Sequence, residues 1–181
     1  MLTVNPHDVD GGRLAALEIV GRSGSLLRGA DDVLLPAIHA TWPALAARLG
    51  DANAAVQLVA MRVVAGLAEV SGTFMKLRVA TDAIPALCKL LRSENSKAAA
   101  ADAAAARSSR FTRSYKLELG ALNALERLSA ALQIGGDGSE GLGATVGAAV
   151  GVYLHAEQPR ELQQRAAELL VSLAADDPDA V

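Results

Sequence analysis

Apolar residues recur at intervals of three and four along most of this chain, and the stretches that carry this helical pattern come in pairs. The first pair reads LLPAIHATWPALAARLGD over Leu34–Asp51 and AAVQLVAMRVVAGLAEV over Ala54–Val70. The second pair reads DAIPALCKLLRS over Asp82–Ser93 and, after an insert, YKLELGALNALERLSAAL over Tyr115–Leu132. Each pair has a proline near the start of its first helix, where proline is tolerated. The pattern predicts paired helices that each bury an apolar stripe.

A third pair follows the same plan near the end of the sequence. Its helices are predicted over 142–155 and 159–175, and a single helix over 13–27 precedes the first pair. The two clear pairs are separated by about fifty residues, and self-similarity at such a period is typical of HEAT and armadillo repeats. We therefore predict an all-α, HEAT/armadillo-type α-solenoid of about three helical pairs over 13–181, preceded by a lead-in over 1–12.

The first helix of the first pair shows how these helices should pack. Asp31 and Asp32 place a cap and negative charge at its start, while Pro43 predicts a kink further along. A continuous apolar stripe is predicted to face the core, formed by Leu35, Ile38, Trp42, Leu45 and Leu49. In the second pair, Asp82 is predicted to cap the start of a new helix.

Three stretches depart from the helical pattern. Gly21 and Gly24 are predicted to interrupt the helix before the first pair. Residues 94–113 are rich in alanine and serine and form an insert in the second pair, either disordered or partly helical through alanine propensity. Residues 135–143 are predicted to be a flexible glycine-rich loop.

Composition favours the same class. The 181 residues are 51% hydrophobic but only 3% aromatic, and small aliphatic residues pack helices closely. A formal net charge of −3 is too small to draw the chain to nucleic acid or an acidic membrane, so neither is expected as a partner. The longest uncharged stretch, 141–156, is shorter than the roughly 20 apolar residues of a membrane span, and no secretory signal is visible. We expect a soluble cytoplasmic chain, with the nucleus left open as a second compartment.

The sequence offers little evidence for a catalytic, cofactor-binding or metal-binding site. Gly136, Gly138 and Gly141 match the spacing G-x-G-x-x-G, but they follow a predicted helix in an acidic loop, so a linker is favoured over a dinucleotide site. The histidines lie far apart in sequence, and no G-x-S-x-G motif occurs. Cys88, the single cysteine, lies in an apolar run and is interpreted as a core residue. We expect no enzyme, no metal site and no cofactor.

Basic residues are the remaining candidates for a binding surface. Cationic side chains recur every third residue through the insert and beyond it, at Arg107, Arg110, Arg113 and Lys116. In a helix they would form a strip that could meet an acidic partner, while in a loop they would be a solvated flank. Three further candidates for partner binding are expected on exposed helix flanks: Arg48, Arg62 and Arg165.

The order of the segments resembles one known family. The chain contains LLPAIHATWPALAARL, then LVAMRVVAGLAEVSGTFMKLRVATDAIPALCKLL, then SYKLELGALNALERL, and then AAVGVYLHAEQPRELQQRAAELLVSLAADDPDA. In this order, from about Asp32 to Val181, they resemble the C-terminal region of the Tel-two-interacting protein 1 family, the large HEAT-repeat scaffold subunit of the TTT cochaperone complex. The resemblance is carried by Pro36, His39, Trp42, Pro43, Leu45, Gly72, Phe74, Asp82, Pro85, Leu87, Lys116, Leu117, Gln158, Pro159, Leu162, Asp177 and Pro178.

The resemblance implies a scaffold for protein–protein interaction. Proteins of this family act with two partner subunits and the heat-shock chaperone machinery to mature and assemble phosphatidylinositol-3-kinase-like kinases, which connects them to TOR signalling. The implied partners of this chain are therefore the other TTT subunits, the chaperones and these kinases. Family members are far longer, so we expect a fragment or a truncated gene model.

An alternative function is that of a HEAT/armadillo adaptor in nuclear transport or vesicle trafficking. Such an adaptor would bind short linear peptides in a groove with regularly placed asparagine and tryptophan on its second or third helices. Trp42 is the single tryptophan and lies in a first helix, which counts against this alternative.

Overall fold

Paired helices make up the structure, which is a computed structural model that describes residues 6–100, 113–133, 141–155 and 157–176. The α-helices are α1 (Pro6–Leu26), α2 (Asp31–Arg48), α3 (Ala54–Ser71), α4 (Ile84–Ala100), α5 (Arg113–Leu132), α6 (Leu142–Val150) and α7 (Arg160–Asp176). Two 3₁₀ turns, Gly72–Met75 and Gly151–Leu154, follow α3 and α6. No strand occurs in the described part of the chain.

The helices form two layers. The odd-numbered helices pack in sequence, α1 on α3, α3 on α5 and α5 on α7. The even-numbered helices form the second layer, in which α2 packs on α3, α4 packs on α5 and α6, and α6 packs on α7. Alternation of this kind, with each unit touching its neighbours, is the arrangement of an α-solenoid. The predicted fold class is confirmed: α2 with α3, α4 with α5 and α6 with α7 are the three pairs, and α1 precedes them.

The buried stripes lie close to where the hydrophobic pattern placed them. In α2 the buried residues are Leu34, Ile38, Trp42 and Leu45, with Leu49 directly after the helix. Leu34 therefore takes the place predicted for Leu35, which is half-buried. In α7 the apolar residues at helical spacing are buried: Leu162, Ala166, Leu169, Leu170 and Leu173. Cys88 is buried in the core, as predicted, and burial raises the pKa of its thiol to about 11.

Helix α1 differs from its prediction at both the start and the middle. It begins at Pro6, within the segment predicted as a lead-in, and it continues through Gly21 and Gly24. These glycines allow close packing on α3, because a Cβ at Gly24 would lie 2.4 Å from Cδ2 of Leu67 and one at Gly21 would lie 3.1 Å from Cγ2 of Val63. The predicted interruption is therefore wrong, and the glycines are contact points between α1 and α3.

We expect Gly24→Val to lower the free energy of unfolding by about 1–2 kcal/mol, because the added branches overpack the contact with Leu67. Urea denaturation followed by circular dichroism measures this change. The matched control is Gly12→Val in the same helix, where an added Cβ meets no atom within 4 Å. Equal effects of the two substitutions would contradict the close-packing role of Gly24.

The connection between α3 and α4 remains helical throughout. After the first 3₁₀ turn come a single α-helical turn, Lys76–Arg78, and a π-helical turn, Val79–Ala83, which leads directly into α4. Asp82 therefore does not cap a new helix, contrary to the prediction. Its carboxylate instead accepts a hydrogen bond from Nε1 of Trp42 at 2.6 Å, which ties α2 to the π turn.

Helices extend into both of the segments that were predicted to be irregular, the insert over 94–113 and the glycine-rich loop over 135–143. Helix α4 continues to Ala100, so residues 94–100 of the predicted insert are helical. Residues 101–112 lie outside the described part. Of the glycine-rich loop, residues 134–140 also lie outside it, while Gly141 has a φ of +85° and Leu142 begins α6. A left-handed backbone of this kind favours glycine at the helix entrance.

One helical run of 44 residues, Ala54–Lys97, is long and apolar enough to cross a membrane by length and composition. Half of its most apolar window is buried inside the fold. A buried core helix of a solenoid meets the same criteria of length and composition. Helix α3 is such a core helix, since it packs against α1, α2 and α5. Length and composition therefore do not identify a membrane span here.

Candidate protein-binding groove

A groove of about 720 Å³ lies between the C-terminal part of α2 and helix α4, and we call it the α2–α4 groove. It is lined by Ala46, Ala47, Leu49, Gly50, Asp51, Ala52, Gln57, Ala86, Lys89, Leu90, Ser93, Glu94, Lys97 and Leu117. The walls come from two consecutive even-numbered helices, and Leu117 of α5 and Gln57 of α3 line it as well. A concave surface between repeats is where a solenoid commonly binds its partners.

The groove exists because α2 and α4 do not pack closely against each other. Helix α2 packs mainly on α3, whereas α4 packs on α5 and α6. Where the two helices face one another, the α2 side chains are the small Ala46 and Ala47, and α4 adds Ala86. Small side chains leave room beside the backbone that a larger side chain of a partner can occupy.

A network around Asp51 holds one end of the groove. Its carboxylate accepts hydrogen bonds from Nη1 of Arg13 and Nη1 of Arg48, both at 2.8 Å, and from the backbone amide of Asn53 at 2.9 Å. Burial by itself would raise the pKa of Asp51, but the Asn53 amide and the two guanidinium groups outweigh it and hold that pKa below its usual value. The side chain is 1% exposed. The aspartate is therefore a fixed, neutralised anion.

In the α4 wall of the groove, the cationic side chains are exposed and the anionic side chain is buried. Lys89, Ser93 and Lys97 are four residues apart, so they follow one face of the helix. All three are exposed. The side chain of Lys97 is 66% exposed and its Nζ lies 2.5 Å from Oε1 of Glu94, whose side chain is only 7% exposed. The cations in this wall therefore face solvent, while the anion is covered.

A buried polar cluster lies close to the groove, where α4, α5 and the second 3₁₀ turn meet. The hydroxyl of Tyr153 lies 2.9 Å from the carbonyl oxygen of Leu91 and 3.0 Å from Oε1 of Glu118, and it is a donor to either. Burial raises the pKa of the Glu118 carboxyl to about 7, and the charge of Glu94 adds to this, while the hydrogen bond from Tyr153 opposes it. Burial and the neighbouring Glu118 also raise the pKa of Tyr153.

The candidate binding residues occupy different helices. Arg48 belongs to the Asp51 network, and Arg165 pairs with Glu168 at 2.9 Å and with Glu126 at 3.7 Å. Arg62 is exposed and forms no ion pair with any described residue. These three residues are therefore not alike: two support the fold and one remains available.

The predicted basic strip is only partly described. Lys116 is exposed in the first turns of α5, and Arg113 is the first residue of that helix. Arg107 and Arg110 lie outside the described residues. A strip that joins all four thus stays a prediction.

Sequence reasoning missed the α2–α4 groove and the cluster near it. The clearest signal for the cluster was Glu118, an acidic residue between two leucines in a helix with an apolar stripe. The signal for the groove was the pair of alanines near the end of α2, Ala46 and Ala47, together with Ala86 in the helix that the repeat pattern makes a neighbour. Across the residues that the structure describes, no group of three or more His, Cys, Asp or Glu side chains is arranged to hold a metal ion.

Comparison with known proteins gave consistent matches over this region. A family model described as the TTI1 C-terminal TPR domain matches residues 6–181. Two curated relatives carry the description TELO2-interacting protein 1 homolog: the Homo sapiens protein is 33% identical over 168 residues and the Mus musculus protein is 31% identical over 167 residues. Each match covers 92% of this chain but only 15% of the relative. No solved structure matches significantly.

Proposed function

The chain belongs to the family described as the TTI1 C-terminal TPR domain, and from this premise we propose that it is a non-enzymatic scaffold segment that binds other proteins. The observation that carries the proposal is the extent of the family match, which spans residues 6–181 and so includes every described helix. TPR and HEAT units are both stacked pairs of helices, so the family description agrees with the two-layer solenoid.

The finer proposal concerns the partners. The relatives are described as interacting with TELO2, and by analogy this chain contributes a docking surface for the other subunits of a TTT-type cochaperone complex. Through that complex it would support maturation of phosphatidylinositol-3-kinase-like kinases in the cytoplasm, with the nucleus as a further location. The chain spans about 15% of the length of these relatives, so the kinase-related activity belongs to a larger assembly.

The surface of the structure supports binding by an extended face. A solenoid exposes long rows of side chains on consecutive helices, and partner binding is spread over many of them. Here the α2–α4 groove joins two repeats, and its Asp51 network is in place without a partner. A surface that is ordered before binding loses less conformational freedom when a partner docks.

Affinity purification tests the proposal directly. The chain is expressed with a tag in the organism that encodes it, and the bound proteins are identified by mass spectrometry. We expect recovery of TELO2-type and second TTT subunits above the level seen with an unrelated, equally tagged helical-repeat domain. Recovery of nuclear transport receptors or vesicle coat proteins by the folded chain, without these subunits, would overturn the proposal in favour of a trafficking adaptor.

A further inference from the structure

We propose that the α2–α4 groove binds an acidic segment of a partner protein, which inserts a large apolar side chain between the two helices. This inference rests on the proposed protein-binding function and specifies the chemistry of one partner segment. Three features of the groove support it, namely its shape, its charge and its fixed walls.

The shape of the groove suits an apolar anchor. Its volume of about 720 Å³ is large compared with a single leucine or phenylalanine side chain. Its lining is mixed, and the aliphatic side chains that an apolar anchor could contact are Ala46, Ala47, Ala86, Leu49, Leu90 and Leu117. An inserted leucine, phenylalanine or tryptophan would bury apolar surface here, and buried aromatic or aliphatic anchors commonly dominate the affinity of protein interfaces.

The charge of the groove suits an acidic neighbour to that anchor. The two anions of the lining, Asp51 and Glu94, are covered and paired with cations. Because Lys97 is the partner of Glu94, Lys89 is the exposed cation of the lining that pairs with no described acidic residue. An aspartate or glutamate beside the anchor could therefore pair with Lys89.

The walls are held in place before any partner arrives. Nε2 of Gln57 donates to the carbonyl oxygen of Leu49 at 3.2 Å, which joins α3 to the end of α2. The Asp51 network fixes the loop between the same two helices. On the other side, α4 is anchored through the contact of Leu91 with Tyr153. Binding therefore requires little rearrangement of the groove.

The test begins with an unbiased selection. Random peptides displayed on phage are selected on the immobilised chain, and the enriched peptide is labelled with fluorescein for binding measured by fluorescence anisotropy. We expect the enriched sequences to combine aspartate or glutamate with leucine, phenylalanine or tryptophan. We further expect the affinity to fall as the salt concentration is raised, because exposed charges are screened.

Variants then locate the binding site. Lys89→Glu should lower the affinity of the labelled peptide by about tenfold, because it reverses an exposed charge at the groove. Ala47→Phe should abolish binding, because the new ring occupies the space of the anchor. Ala47 is exposed, so the variant is expected to fold, which circular dichroism checks. Arg160→Glu is the matched control, an exposed cation at the start of α7 outside the groove lining, and it should leave the affinity unchanged.

Two results would overturn the inference: enriched peptides with no excess of acidic residues, or an acidic peptide that binds the Ala47→Phe chain as tightly as the natural one. The same variant separates this inference from the proposed function. If tagged Ala47→Phe chain still recovers the TTT-type subunits, the scaffold function stands and the groove is not where these subunits bind. Loss of the subunits from this variant, with the Arg160→Glu chain unaffected, supports both.

Discussion

Replacing Trp42 with alanine is expected to lower the free energy of unfolding by about 3–5 kcal/mol. The indole is 4% exposed and is the largest side chain in the buried stripe of α2. It also donates a hydrogen bond at 2.6 Å to Asp82 in the π turn before α4. The substitution removes both the buried volume and this link, and α2 otherwise packs mainly on α3. Urea denaturation followed by circular dichroism measures the change.

The control for Trp42→Ala is Trp42→Phe, which keeps an aromatic ring but has no N–H donor. We expect a loss of about 1 kcal/mol from the missing hydrogen bond, plus a smaller packing defect. The phenylalanine variant should remain folded even if the alanine variant does not. A change below about 1 kcal/mol for alanine itself would show that Trp42 does not anchor α2.

Replacing Glu118 with glutamine is expected to raise the free energy of unfolding by about 2 kcal/mol near pH 8. The carboxyl is buried, at 5% exposure, and burial raises its pKa from 4.5 to about 7. Above that pH the natural chain must keep a buried negative charge close to Glu94. Glutamine is nearly the same size, carries no charge and can still contact the hydroxyl of Tyr153.

A protonated Glu118 is compatible with the hydrogen bonds around Tyr153. The hydroxyl has one proton and two neighbouring acceptors, the carbonyl oxygen of Leu91 and Oε1 of Glu118. It can donate fully to only one of them. If Glu118 holds a proton, the carboxyl donates to Tyr153 and the hydroxyl donates to Leu91, so that every group is satisfied.

The direction of the pH dependence follows from the raised pKa. The folded chain binds the Glu118 proton more tightly than the unfolded chain, so this contribution to stability is complete below pH 4.5 and is lost as the pH rises through about 7. Glu118→Gln should remove this part of the slope. Unfolding in urea at a series of pH values measures it, with Glu126→Gln, a more exposed carboxyl on the same helix, as the control. An unchanged slope in Glu118→Gln would contradict the assignment.

The extents of several helices could be predicted well because each one carries apolar residues at helical spacing. Spacings of three and four are visible in the sequence alone, and they located α3, α5 and α7 to within two residues and α2 to within three. The errors arose where neighbouring residues satisfy the pattern equally. Leu34 and Leu35 are both apolar, and only the packing of α2 on α3 decides which of them is buried.

Polar and glycine residues were predicted less well, because their roles depend on other helices. Asp82 has the sequence features of a helix cap, yet it accepts a hydrogen bond from Trp42, forty positions away in the chain. Gly24 has the features of a helix breaker, yet it lies inside α1 against Leu67. Local propensity describes what a residue favours alone, and tertiary contacts override it when the gain in packing is larger.

The sequence alone determined the fold class, the order of the helical pairs and the family, since all three depend on repeated local patterns and on residues in a fixed order. Only the tertiary structure decided where a candidate binding groove lies. The α2–α4 groove depends on how far apart two helices lie, and its charge depends on which anions are covered. The raised pKa of Glu118 likewise needs the burial that three elements create together. Such properties arise from residues distant in sequence, so no local pattern contains them.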